Sequence, residues 1–111
     1  MSQFIPTAWT ADTILSHLAH SQAALKSFGV VRLGLFGSYV RGEQQKQSNL
    51  DFLVKINPMT YAAWMDVWNF LEDTFGLEVD LVPEESLRPE FRTHVLREVR
   101  DVDFLALGMS S

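Results

Sequence analysis

The sequence contains no cysteine among its 111 residues, which excludes disulfide bonds and thiolate chemistry. It also lacks long apolar runs, and its start, MSQFIPTAWT, lacks the basic and then apolar pattern of a signal peptide. Basic residues number 9 against 14 acidic ones, and the net charge of −5 disfavours direct binding to a nucleic-acid backbone. These absences predict a small, soluble protein of the cytoplasm that contacts neither membranes nor nucleic acids directly.

The residues that are present are those of a folded chain. Apolar residues make up 47% of the sequence and aromatic residues 12%, which is more than disordered chains contain. There is no internal repeat and no low-complexity segment, and 111 residues suffice for one modest core. We therefore expect residues 1–111 to form a single domain.

Apolar periodicity and turn residues predict three helices and three strands. The helices are expected at residues 10–28, 60–75 and 86–100, and the strands at residues 30–36, 50–56 and 78–82. Thr10 begins the first helix, Gly29 and Gly76 end the first two, and Ser86 is the expected N-cap of the last. This order of elements predicts a small α/β or α+β sheet with helices packed on it.

Helical spacing also predicts which side chains face the core. The expected buried stripe of the middle helix is Tyr61, Trp64, Trp68, Leu71 and Phe75. The expected apolar side of the last helix is Leu87, Phe91, Val95, Val99 and Val102. The basic residues of that helix form either a solvated face or a landing surface for an acidic partner; they are Arg88, Arg92, His94, Arg97 and Arg100.

Polar side chains on two predicted strands are the first sign of chemistry. Asn49 and Asp51 lie two positions apart at the second strand, and Asp80 lies between Val79 and Leu81 in the third. If these strands are neighbours, the three polar side chains converge, and a hard cation such as Mg²⁺ would stabilise the paired carboxylates. The alternative is that both aspartates point into solvent, as most acidic residues do.

A glycine–serine turn favours the first interpretation. Gly37 and Ser38 follow the first strand, and a turn of small residues lets backbone N–H groups and the serine hydroxyl approach a phosphate. By itself this dipeptide is equally compatible with a plain tight turn. Its combination with an acidic strand ten residues later is much rarer than either feature alone.

The combination resembles the signature of the DNA polymerase β-like nucleotidyltransferases. Their pattern is Gly-Ser, ten residues, Asp-x-Asp and a third aspartate on a later strand; the pattern here is Gly37-Ser38, ten residues, Asn49-Leu50-Asp51 and Asp80. The short, minimal branch of bacteria and archaea is matched further by Arg41-Gly42-Glu43, by Ser48, by the EVDLV strand and by LRPEFRTHVLREV. The resemblance extends from about residue 30 to residue 105.

The resemblance implies a mixed β-sheet flanked by helices and a metal-dependent transfer of a nucleoside monophosphate from a nucleoside triphosphate. Members of the minimal branch are typically encoded beside a HEPN-domain protein, often an RNase toxin. Some are antitoxins that place AMP on a tyrosine of that toxin. The implied partner is therefore a HEPN RNase toxin in a hetero-oligomer, the implied substrate is ATP, and the implied cofactor is Mg²⁺, as two ions.

Carried over residue by residue, the resemblance assigns roles to the motif positions. Gly37, Ser38 and Arg41 would bind the nucleotide, the first two by holding the triphosphate of ATP. Asp51 would bridge the two Mg²⁺ ions. Asp80 would bind the catalytic ion and help to deprotonate the acceptor hydroxyl.

Asn49 stands where the family has its first metal-binding and catalytic aspartate. An amide oxygen can coordinate a hard cation but brings no charge, so turnover should fall while the nearly isosteric side chain leaves the fold intact. The site is therefore expected to be weakened, or trapped if an aspartate was replaced. The alternative to an enzyme is an inactive module that neutralises the HEPN partner by binding alone. Transfer to a small molecule or an RNA end is a third hypothesis.

Two histidines on the first predicted helix are a separate candidate. His17 and His20 lie three positions apart, a spacing that can ligate a metal. No carboxylate or thiol motif accompanies them, so two solvated histidines are the simpler interpretation.

Overall fold

The computed structural model describes residues 9–104, which form five helices and four strands. The helices are α1 (Ala11–His20), α2 (Gln22–Ser27), α3 (Ser38–Arg41), α4 (Tyr61–Phe75) and α5 (Pro89–Glu98). The strands are β1 (Val30–Phe36), β2 (Leu50–Ile56), β3 (Val79–Pro83) and β4 (Arg100–Asp101), and a 3-10 turn covers Glu84–Ser86. No helix in this part of the chain is long and apolar enough to cross a membrane.

The strands form one sheet in the order β3-β2-β1-β4. β2 runs parallel to β3, whereas β1 is antiparallel to both of its neighbours. The result is a mixed four-stranded sheet flanked by helices, so the predicted fold class is confirmed. The parallel pair matters for function because it places the beginnings of β2 and β3 at the same end of the sheet.

The hydrophobic core joins the sheet to helices α1, α2 and α4. Alternate residues of β2, namely Leu50, Phe52, Val54 and Ile56, all belong to it, as their period of two predicts. The buried residues that these helices contribute include Ile14, Leu18, Leu25, Val67, Leu71 and Phe75. Removing such side chains from water is the dominant favourable term in folding, so this layer holds the sheet in place.

The first predicted helix is divided in two. It begins as expected after Thr10, whose hydroxyl accepts from the Thr13 N–H at 3.2 Å. The division lies at Ser21, whose hydroxyl donates to the His17 carbonyl at 3.1 Å. Side-chain bonds of this kind compete with the backbone hydrogen bonds of a helix and bend it, which explains why α1 and α2 are separate.

The last predicted helix begins later and ends earlier than expected. Ser86 is not its N-cap, because this residue ends the 3-10 turn and its hydroxyl donates to the Pro83 carbonyl at 2.9 Å. The helix begins at Pro89, since proline fits the first turn, where its missing N–H is not required. After Glu98 the chain pairs with β1 as strand Arg100–Asp101, which is too short to produce an apolar period.

Two predicted core positions are wrong. Tyr61 is 75% exposed and Phe91 is 53% exposed. Both lie in the first turn of their helices, where the end of the apolar stripe is left uncovered. Trp64 and Trp68 are partly buried and pack against the core, and Val95 is buried in α5.

Candidate active site

Three strands meet at one end of the sheet. Asp51 in β2 is the register partner of Asp80 in β3 and of Phe36 in β1. Because β1 ends where β2 and β3 begin, the turn formed by Gly37 and Ser38 follows directly beside Asp51. The two aspartates and the glycine–serine turn are therefore neighbours.

Asp51 is a half-buried carboxyl group with an unusual affinity for a proton. Burial is the largest cause, and the charge and hydrogen bond of Asp80 add to it, so the pKa of Asp51 rises from 3.8 to about 6. The positive charge of Arg41 opposes this rise. Because Asp80 is exposed, a cation could reach the pair from solvent and would stabilise both ionised carboxylates.

Asn49 also lies beside Asp80. Its Nδ2 atom donates to Asp80 Oδ2 at 3.3 Å. A carboxylate in place of this amide would lose the hydrogen bond and would repel Asp80 when no cation is present. The amide therefore stabilises the metal-free arrangement of the acidic residues, while its own oxygen remains a neutral ligand.

Gly37 occupies a position that other residues would adopt only with strain. Its φ of 86° lies in the left-handed region that favours glycine. A Cβ atom at this position would overlap the Asp51 carboxylate, so the backbone and the acid are in close contact. α3 then begins at Ser38. This placement puts the turn within reach of any phosphate that is bound to a metal at Asp51.

Arg41 is held by two carboxylates. Its Nε donates to Glu43 Oε1 at 2.9 Å and its Nη1 donates to Glu98 Oε1 at 2.7 Å. The side chain is still 43% exposed, so its other N–H donors can meet a ligand from solvent. A phosphate that used the whole guanidinium would have to compete with both acids.

Glu98, the last residue of α5, belongs to this region and was missed by sequence reasoning. Its Oε2 accepts from the Gly37 N–H at 2.7 Å. Burial acts to raise the pKa of Glu98, but hydrogen bonds from Arg41 and Gly37 together lower it. One signal was present in the sequence, because an acidic residue in the last turn of a helix opposes the helix dipole and so indicates another partner.

The donors at this end of the sheet suit a hard cation. They are the carboxylates of Asp51 and Asp80 and the amide oxygen of Asn49. Mg²⁺ is commonly bound through one or two carboxylates, with substrate phosphates and water completing its shell, so this donor set fits it. Within residues 9–104, no group of three or more His, Cys, Asp or Glu side chains is placed to hold a metal ion, so protein ligands alone would not complete the shell.

The histidines of α1 have other neighbours. The His17 ring packs edge-on against Trp9 and Phe75, with ring centroids 5.9 Å apart in both cases. His20 Nδ1 lies 2.8 Å from the Ser16 carbonyl oxygen of its own helix. These contacts are those of side chains at a protein surface, in line with the simpler interpretation.

A cleft lies beside Asn49, at the edge of the site. A cleft of about 410 Å³ borders Asn49, Ser48 and Glu78. A larger cleft of about 710 Å³ lies at Val31 and Phe104 and includes none of the motif residues. The residue chemistry, and not the cleft volume, therefore identifies the site, since Asn49 is the one proposed metal ligand that borders the smaller cleft.

Comparisons of the sequence and of the structure with known proteins agree on one family. The model of the nucleotidyltransferase domain matches residues 20–106. The chain is 40% identical over 82 residues to protein adenylyltransferase MntA of Thermococcus cleftensis, covering 73% of this chain and 83% of that protein. A solved structure provisionally described as a minimal nucleotidyltransferase has a TM-score of 0.73 at 31% identity, covering 86% of this chain and 98% of the other.

A more distant structure shares the fold alone. It is a chain from the complex of tri-AMPylated Shewanella oneidensis HEPN toxin with MNT antitoxin, with a TM-score of 0.57 at 16% identity. The match covers 86% of this chain and 77% of that chain.

The family model spans most of the sequence, and the Thermococcus relative is matched over most of its length. These two matches confirm the resemblance seen in the motif: this chain belongs to the nucleotidyltransferase domain family.

Proposed function

We propose that this chain is an antitoxin that transfers AMP from ATP to a tyrosine hydroxyl of a HEPN RNase toxin and thereby neutralises it. The observation that carries the proposal is the pairing of Asp51 with Asp80 beside the Gly37 turn. Support comes from the name of the Thermococcus relative, a protein adenylyltransferase, and from the tri-AMPylated toxin bound to an MNT antitoxin. Since the reaction consumes ATP, the proposed location is the cytoplasm.

The proposed metal ligands are Asp51, Asp80 and Asn49. Asp51 must be ionised for this role, and at pH 7 most of it is, because its pKa is about 6. When bound there, Mg²⁺ would polarise the phosphate oxygens and offset charge on the departing pyrophosphate, and two ions are proposed. Asn49 supplies an oxygen without charge, so we expect a weak site.

The proposed nucleotide ligands are Gly37, Ser38 and Arg41. Because the Gly37 N–H already donates to Glu98, the turn would offer the Ser38 hydroxyl and the N–H groups that follow Gly37 to the triphosphate. The exposed part of the Arg41 guanidinium would add a positive charge. These contacts would hold the triphosphate with its α-phosphorus towards the acceptor.

The proposed reaction is an in-line displacement at the α-phosphorus. The tyrosine oxygen forms a bond to this phosphorus, and the bond between the phosphorus and pyrophosphate breaks. The phenolic proton passes to Asp80, which is exposed and therefore accessible to an incoming partner. The products are an AMP–tyrosine ester and pyrophosphate.

The test is a transfer assay with ATP labelled at the α-phosphate, Mg²⁺ and the product of the neighbouring gene as the proposed HEPN partner. Wild type, Asn49→Asp and Asp51→Asn are assayed in parallel. We expect weak labelling of a toxin tyrosine by wild type, stronger labelling by Asn49→Asp, and none by Asp51→Asn. If Asn49→Asp transfers no label, the adenylyltransferase proposal is wrong.

A second candidate function is neutralisation by binding alone. Two observations favour it: Asn49 donates to Asp80, and Arg41 is held by two carboxylates, so the polar residues satisfy one another without ligands. The toxin complex should then form without ATP or Mg²⁺, and Asp51→Ala should still protect cells against the toxin. Loss of protection in Asp51→Ala, with the protein folded and present, would exclude this alternative.

A further inference from the structure

The carboxylate of Glu98 joins the end of α5 to both ends of α3. Oε2 accepts from the N–H of Gly37, which directly precedes α3, and Oε1 accepts from the Nη1 of Arg41, its last residue. Both distances are 2.7 Å, at the short end of the ordinary range for hydrogen bonds to a carboxylate. Because one carboxylate accepts from both groups, it connects both ends of the turn to α5.

This carboxylate keeps its position against two unfavourable effects. The Glu98 side chain is only 11% exposed, and removing a carboxylate from water is costly unless hydrogen bonds replace the water. It also lies at the negative end of the helix dipole of α5. Glu90, in the first turn of the same helix, is exposed, and its pairing with Arg88 is loose at 3.9 Å.

Gly37 is the point where this contact reaches the acidic residues. Its N–H is bound to Glu98, while its Cα lies so close to the Asp51 carboxylate that a Cβ would overlap it. A shift of the turn therefore changes the space between the backbone and Asp51. Small displacements of this kind strongly affect groups that must hold a substrate in a reactive position.

We propose that Glu98 is a positioning residue, which holds Gly37 and Arg41 so that the turn receives the nucleotide phosphates beside Asp51. This inference rests on the proposed function for its phosphate part. Glu98 itself touches no substrate in this scheme. Its effect is on how well the turn is ordered before the nucleotide arrives.

Hydrogen exchange at the Gly37 amide tests the contact without any catalysis. In Glu98→Ala the amide loses its acceptor, and its exchange, followed by NMR on the full chain, should become about tenfold faster or more. Glu98→Gln keeps an acceptor oxygen but loses the charge, so its effect should be smaller. Glu90→Gln is the matched control and should change nothing. Unchanged Gly37 exchange in both Glu98 variants would overturn the proposal.

Kinetics with the HEPN partner test the positioning of phosphate. In an Asn49→Asp background, Glu98→Gln should raise the KM for ATP by about tenfold, with kcat changed within about threefold. A purely structural role would instead reduce the amount of folded enzyme and leave KM unchanged, which contradicts the proposal. If Asn49→Asp alone transfers no AMP, the proposed function fails, and faster Gly37 exchange in Glu98→Gln would still support the role of Glu98 in holding the turn.

Discussion

Asp51 interrupts the apolar surroundings of strand β2, because Leu50 before it is as completely buried as the residues after it. Asp51 is half-buried and ionisable, whereas the next three residues, 52–54, are completely buried. We use the name apolar body for residues 52–54 together with the helix side chains of the core that pack on the sheet. We use the name polar end for Asn49, Asp51, Asp80 and Gly37. The apolar body is stabilised by excluding water, whereas the polar end would have to admit the proposed nucleotide. Stability and chemistry are therefore adjacent in the strand but can be altered separately.

The largest expected effect is a difference in the free energy of unfolding between a substitution in the apolar body and one at the polar end. Leu71→Ala in the body should lower the free energy of unfolding by about 2–5 kcal/mol, because a completely buried leucine leaves a cavity. Asp51→Asn at the polar end should leave it unchanged or raise it, since a half-buried charge beside Asp80 is removed. Urea unfolding of the metal-free protein measures both. A loss at Asp51→Asn as large as that at Leu71→Ala would contradict the separation.

Asn49→Asp should tighten ATP binding when Mg²⁺ is present and should lower the stability of the protein when no metal is present. With Mg²⁺, the added charge should tighten ATP binding by about tenfold or more, as measured by calorimetric titration. Without metal, the variant should be less stable by about 1 kcal/mol, because the bond to Asp80 is replaced by repulsion. The sequence alone predicted that this substitution would leave the fold intact, and the hydrogen bond between Asn49 and Asp80 revises that prediction. Equal ATP affinity in both proteins would show that position 49 is not a metal ligand.

The pH dependence of stability should also come from the polar end. The pKa of Asp51 is about 6 in the folded protein against an ordinary value of 3.8, so the folded state holds the proton more tightly. The resulting stabilisation is fully present below about pH 4 and is lost as pH rises through about 6. Discounted for partial exposure, the loss is about 1 kcal/mol.

Urea midpoints of metal-free wild type and Asp51→Asn, measured between about pH 4 and pH 7, test this sign. The wild type should lose stability relative to the variant as the pH rises. Glu98 contributes in the opposite direction, because its pKa is lowered in the folded protein. Its stabilisation of the folded state is present above the ordinary pKa of a glutamate and is lost on acidification. A constant difference between wild type and Asp51→Asn across this range would show that the Asp51 pKa is not raised.

The smallest expected effects come from removing two hydroxyl groups, that of Thr60, which caps α4, and that of Ser86, which precedes α5 but does not cap it. The Thr60 hydroxyl accepts from the Ala63 N–H at 3.0 Å and caps α4, which belongs to the body. Thr60→Ala should therefore cost about 1 kcal/mol in thermal or urea unfolding. Ser86→Ala should cost within about 0.5 kcal/mol, since Ser86 does not cap α5. A larger loss of stability in Ser86→Ala than in Thr60→Ala would support the prediction that Ser86 is the N-cap of the last helix.

Most local elements could be predicted from the sequence because their signals are local. The period of two over residues 50–56, the glycine after α4 and the threonine before α1 each act within a few residues. The errors arise where a side chain or a neighbour overrides the pattern. Ser21 divides a helix by bonding to its backbone, and Phe91 has the spacing of a core residue but is 53% exposed.

The sequence by itself determined the apolar faces of the strands, the glycine–serine turn and the strand positions of Asp51 and Asp80. These depend on residue type and spacing alone. Only the tertiary structure decided the register that pairs Asp51 with Asp80, the bond of Asn49 to Asp80 and the contact of Glu98 with Gly37. The physical reason is distance along the chain: Glu98 and Gly37 are 61 residues apart, and no periodic pattern specifies which distant polar groups will meet once the core has closed.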